Sequence, residues 1–122
     1  DIDAFIRDRT HRLEVKNEEK WPLINVCVEV SQGKDKRQSG IVTSRSTVYV
    51  HTFTEYVVVY VTAEMRVFLQ QNWWDKKLTV QEFHNSDNHA RGHVVPIDLI
   101  RQEPWCEVCT LDELPNSDVF LG

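Results

Sequence analysis

Two imidazoles four residues apart, His89 and His93, and two thiols three apart, Cys106 and Cys109, are the residues whose types and spacing most directly invite chemistry. Zinc takes nitrogen and sulfur ligands in closed sets of four, so the two pairs together have the composition of a tetrahedral site. Against that reading, Gly92 and the loop-forming residues around it keep the histidine pair off a helix, and the stretch between the pairs reads as a strand. A single Cys-x-x-Cys is a weak signal. Buried or partly buried thiols are the preferred reading, and no metal or other cofactor is expected.

Other reaction chemistry finds less support. The glycines, at positions 33, 40, 92 and 122, build no phosphate-cradling loop. No cluster of carboxylates with a poised arginine suggests metal-assisted phosphodiester cleavage. No catalytic residue is therefore assigned, and the chain is expected not to be an enzyme.

Composition narrows the partners. The 122 residues suit one domain, with 41% hydrophobic and 27% charged content. A net charge of −5 argues against direct binding to nucleic acid, and Lys34-Asp35-Lys36-Arg37 reads as a solvated turn. The apolar runs are too short to span a bilayer, so no membrane partner is expected. Asp1-Ile2-Asp3 opens an amphipathic segment instead of a signal peptide. Three cysteines fit a reducing, cytoplasmic setting.

The elements that must position any site are mostly strands. From Ile41 to Phe68, β-branched and aromatic residues crowd together, a composition suited to a pleated sheet. Spacing of Ile2, Phe5, Ile6 and Leu13 predicts an amphipathic helix over Asp3–Leu13, followed by a polar linker to Trp21-Pro22. Strands are predicted at Ile24–Val30, Gly40–Ser44, Thr47–Phe53, Tyr56–Val61, Leu78–Phe83 and His93–Ile100, with Pro96 marking an edge or bulge. Gln32-Gly33-Lys34-Asp35 is a turn, Ala63–Gln71 a short helix, Asn85–Asn88 a loop and Leu111–Leu114 a helical turn. In Tyr56-Val57-Val58-Val59-Tyr60 both faces are apolar, which predicts a strand covered on both sides, by curling into a small barrel or by meeting another layer.

This order of parts resembles an extended Tudor domain. Pro22-Leu23-Ile24-Asn25-Val26-Cys27-Val28-Glu29-Val30 is similar to the first Tudor strand, with Ile41-Val42, Val48-Tyr49-Val50 and Tyr56–Tyr60 in the places of the next three. Glu64-Met65-Arg66 matches the closing turn. Lys76–Val80, Val94–Ile100 and Leu111–Leu114 resemble part of the staphylococcal-nuclease-like lobe that accompanies such barrels. The resemblance implies a mostly β (α+β) fold: a linker helix over residues 1–20, a small SH3-like Tudor barrel over 21–71, and a partial nuclease-like lobe over 72–122.

The family implies a cytoplasmic adaptor that binds a peptide, in germ granules or small-RNA (RNA-silencing) and other ribonucleoprotein assemblies. Its ligand is often methylated arginine, which keeps its charge while losing hydrogen-bond donors and so suits an aromatic cage. Here Thr52-Phe53-Thr54-Glu55-Tyr56 replaces the expected Asp-Tyr-Gly-Asn segment, and Arg37-Gln38 replaces an expected aromatic pair, so methylarginine reading is disfavoured. The peptide-binding residues assigned on this basis are Tyr49, Phe53 and Tyr56 at the barrel mouth, with Trp73 and Trp74 at the lobe junction. Core filling is the competing reading for the same aromatics.

Two alternatives stand beside it. Ser39–Arg45, with Trp21-Pro22 before it, also resembles the first barrel of a trypsin-like serine protease. Tyr49-Val50-His51-Thr52 and Pro96-Ile97-Asp98-Leu99 place neither the histidine nor the acid in frame, so that reading implies an inert structural or interaction domain. Self-association through strand edges and exposed tryptophan is the third class.

Overall fold

The computed structural model describes residues 2–18, 25–74, 80–83 and 89–121; of residues 73 and 74 it describes the backbone alone. The expected loop at Asn85–Asn88, the Trp21-Pro22 end of the linker and the start of the strand at Leu78 lie outside the described residues, whereas residues 15–17, expected as the start of that linker, are strand.

Among the described residues nine strands form two sheets. Strands β1 (Ile2–Ile6), β2 (Arg9–Asn17), β5 (Val48–Thr52), β6 (Val57–Val61) and β9 (Cys106–Cys109) make the first, in the order β1-β2-β5-β6-β9. Strands β3 (Asn25–Gln32), β4 (Arg37–Gln38), β7 (Val80–Glu82) and β8 (Arg91–Pro96) make the second, in the order β4-β3-β8-β7. Helix α1 (Thr62–Trp74) follows β6, and α2 (Ile97–Ile100) follows β8. The class is mostly β with helices, as its residues predict. Among the described residues the strands form two open sheets and no closed barrel. The first sheet takes strands from all three expected parts of the chain, so no part holds a sheet of its own.

The helix expected over Asp3–Leu13 is instead the β1–β2 hairpin, with Ile2 opposite Leu13 and Ile6 opposite Arg9. Arg7 and Asp8 both take positive φ, 52° and 64°, the condition for a two-residue turn that matches strand twist. The Arg7 guanidinium donates to the Asn116 carbonyl at 2.6 Å, tying this turn to the carboxy-terminal segment. Ile6 and Leu13 are buried on the sheet while Phe5, which the helical spacing required inside, is 73% exposed. Tertiary burial overrides local periodicity here.

Strand β2 runs parallel to β5, with Leu13 beside Val48 and Lys16 beside His51. Parallel neighbours need a crossover, and that crossover carries β3 and β4 of the second sheet. The strand expected at Gly40–Ser44 is a 3-10 turn at Gly40–Val42. Its cause is Gly40, at φ +58°, where a Cβ would fall 2.2 Å from the Glu29 carbonyl oxygen. The expected strand His93–Ile100 splits likewise: β8 ends at Pro96 and Ile97–Ile100 coils into α2.

Both faces of β6 are buried. Val58 and Tyr60 face Val26, Val28 and Val95 of the second sheet and Met65 and Leu69 of α1. Val57 and Val59 face Leu114, Val119 and Phe120 of the carboxy-terminal turns. Each such side chain contributes about 1.5–3 kcal/mol on burial, so the valine-rich strand predicted to be covered on both sides is the middle layer of three.

Candidate functional site

Alternation along β5 puts Tyr49 and His51 on the face toward the second sheet, and the β5–β6 register sets Tyr60 opposite Tyr49. Tyr49 and Tyr60 lie nearly parallel, with ring centroids 5.5 Å apart, and the His51 and Tyr60 centroids are 5.4 Å apart. Glu18 reaches the same place from the end of β2, where its N–H donates to the Thr52 carbonyl at 2.8 Å.

These residues form a buried polar chain. His51 Nδ1 lies 2.9 Å from Glu18 Oε1, and His51 Nε2 lies 2.8 Å from the Tyr60 hydroxyl oxygen. A carboxylate only accepts, so Nδ1 donates; in the neutral ring this leaves Nε2 to accept from the Tyr60 O–H. Glu18 Oε1 also accepts the Cys27 backbone N–H at 3.1 Å. His51 and Tyr60 have no exposed surface.

Two oxygens here lack partners. Glu18 Oε2 and the Tyr49 hydroxyl are buried without a hydrogen bond. The Ser44 side chain eases the Tyr49 phenol without the geometry of a full bond, against a pKa raised chiefly by burial. Glu18 and Tyr49 line a cavity of about 180 Å³ together with Lys16, Cys27, Glu29 and Phe83. It adjoins a polar cleft of about 400 Å³ walled by Arg12, Glu14 and Lys16 of β2 on one side and Glu29, Ser39 and Thr43 on the other. The Ser39 hydroxyl donates to Glu29 Oε2 at 2.8 Å, fixing that carboxylate on the wall.

The ionisable groups nearby are tuned away from nucleophilic chemistry. Burial, then Glu18, pushes the Cys27 thiol up to about 11. Burial, then Tyr49 and Glu18, raises Tyr60 well above the ordinary phenol value. His51 spends both nitrogens inside the protein and offers neither to a substrate.

The zinc arrangement is not assembled. Cys106 pairs with Tyr60 and belongs to the core between the sheets, whereas Cys109 pairs with Val57 and lies on the opposite face of β9. One ion cannot collect both thiols from opposite faces of a strand. His93 is buried in β8, and His89 Nδ1 meets Glu82 Oε1 at 2.9 Å on the surface. All three cysteines are free.

The aromatic residues assigned to peptide binding are dispersed. Tyr49 and Phe53 are buried in the inter-sheet core, where packing holds them, and Tyr56 stands 43% exposed at the β5–β6 turn. There the Phe53 N–H donates to the Tyr56 carbonyl at 2.9 Å. Side chains of Trp73 and Trp74 lie outside the described residues. Tyr49 alone of the described members reaches the cavity. Glu18, the pivot of the site, was not singled out by its sequence context.

A second, apolar groove of about 510 Å³ lies between α1 and the 3-10 turn, lined by Val30, Ile41, Val42 and Leu69. Arg66 pins its walls together, donating to the carbonyls of Ile41 at 2.7 Å and Ser44 at 2.5 Å. Among the described residues no helix is long and apolar enough to cross a membrane. Comparison with protein-family models, curated protein sequences and solved structures returned no match.

Proposed function

We propose that this domain is a non-catalytic interaction module that holds an extended segment of a protein partner in the cleft between its two sheets. Arg12, Glu14 and Lys16 of β2, and Glu18 just beyond its end, follow one another at two-residue intervals, the roughly 6.6–6.8 Å repeat of an extended chain. A segment laid along β2 meets these groups in step with its own side chains. The peptide partner implied by the Tudor resemblance is kept, and its place moves from a barrel mouth near Phe53 and Tyr56 to the cleft.

The observation that carries the reading is that Glu18 and Tyr49, which both line the cavity beside the cleft, each carry a buried oxygen without a hydrogen bond, Glu18 Oε2 and the Tyr49 hydroxyl. An unsatisfied buried polar group costs about 1–3 kcal/mol, and a ligand donor would recover that cost. The raised Cys27 thiol and the doubly engaged His51 favour binding over group transfer.

Selection from an unbiased displayed-peptide library against the folded domain tests the proposal. Enrichment of binders that compete for one site supports it. Failure to enrich any peptide, with the domain shown to be folded, contradicts it.

A further inference from the structure

We infer that the closed end of the cleft is a receptor for the unmethylated guanidinium of an arginine carried by the bound segment. The inference rests on the peptide-binding reading and specifies its anchor. Among the described lining residues, Glu18 and Glu29 bring two carboxylates against the single ammonium of Lys16, a balance that favours a cation. Glu18 is 7% exposed and its Oε2 has no partner, so capture of a donor takes a small rotation of a carboxylate already held at Oε1 by His51 and Cys27.

The cation must also bring N–H groups. A guanidinium offers five donors in a planar fork, enough to serve Glu18 Oε2 and a further acceptor of the lining, and it sheds water more readily than an ammonium. Each methyl group added to its nitrogens removes a donor, so methylation weakens this site where it would suit an aromatic cage. Tyr49 and Phe83 provide the flanking apolar surface, and Lys16 is the competing cation at the rim.

The test is an NMR titration of the 122-residue chain with small blocked probes, following backbone amides of Lys16, Glu18, Cys27 and Tyr49. N-acetyl-arginine N-methylamide is expected to give saturable shifts there in the millimolar range, about tenfold tighter than its neutral citrulline counterpart. The asymmetrically dimethylated probe is expected to bind about as weakly as citrulline. Glu18→Gln should abolish the arginine response. Lys16→Ala, which leaves the His51 network intact, should strengthen it about threefold, the scale of one partly exposed charge.

Equal shifts from arginine and citrulline, equal affinity for the lysine probe, or no saturation would each overturn the assignment. The two readings fail separately. Library peptides that bind the cleft without any basic residue would overturn the guanidinium receptor and leave the module. A saturating arginine probe with no enriched peptide would do the reverse.

Discussion

Glu18 Oε1 lies 2.9 Å from His51 Nδ1 inside the protein, joining the end of β2 to β5 across 33 residues of sequence. The pair has two consequences. It orients the imidazole so that Nε2 meets Tyr60, and it leaves the second carboxylate oxygen buried without a partner.

Breaking that pair should be costly, and the cost should depend on which member is lost. His51→Ala strands a buried carboxylate and opens a cavity, so a loss of about 3–5 kcal/mol is expected. Tyr60→Phe removes one hydroxyl from an otherwise packed ring and should cost about 1–3 kcal/mol. Urea unfolding of both variants checks the order; a smaller loss for His51→Ala would contradict it.

Gly92 packs against β3 so closely that a Cβ would fall 1.9 Å from the Val28 carbonyl oxygen. Gly92→Ala must separate β3 from β8, the two central strands of the second sheet. Destabilisation at or above the about 1–3 kcal/mol of an overpacked core is expected in thermal unfolding. An unchanged midpoint would mean that the two strands are less tightly joined.

How much of this was legible in the sequence depends on range. The covered strand Val57–Val61 shows in its residues because alternation is local and both of its faces are apolar. The Gln32–Asp35 turn and the helix after Val61 are local in the same way. The Asp3–Leu13 helix fails because Ile2, Phe5, Ile6 and Leu13 suit two periods, and the choice is made by Phe120 and its neighbours at the other end of the chain. For the site, alternation puts Tyr49 and His51 on one face, yet only strand register brings Tyr60 beside them. Glu18 sits in the polar run Asn17-Glu18-Glu19-Lys20, where nothing in the residue types distinguishes it from a solvated carboxylate.

Thiol chemistry gives a pH test. With its thiol pushed up to about 11, Cys27 is ionised to only about one part in a thousand at pH 8. Alkylation by iodoacetamide, followed by peptide mass mapping, should therefore be slow at pH 8 and rise about tenfold per pH unit up to about 11. A fast reaction at pH 8 from the folded protein would contradict the burial argument.

The same shifts predict the direction of stability at alkaline pH. Burial holds Cys27 and Cys109 at about 11 and Cys106 at about 12, above the ordinary value of 9.0. The unfolded chain thus releases these protons first and binds fewer of them than the folded protein. Stability is fully present below pH 9.0 and declines as pH climbs through about 11–12. Denaturant midpoints that stay level from pH 8 to 11 would contradict this.

The central claim is that the inter-sheet cleft, and not the apolar groove beside α1, receives the partner. The most direct measurement is the map of NMR shift changes when a library-selected peptide saturates the domain. The account predicts that the largest changes fall on Lys16, Glu18, Glu29 and Tyr49. Changes centred instead on Val30, Val42 and Leu69, with the Glu18 neighbourhood unmoved, would contradict it.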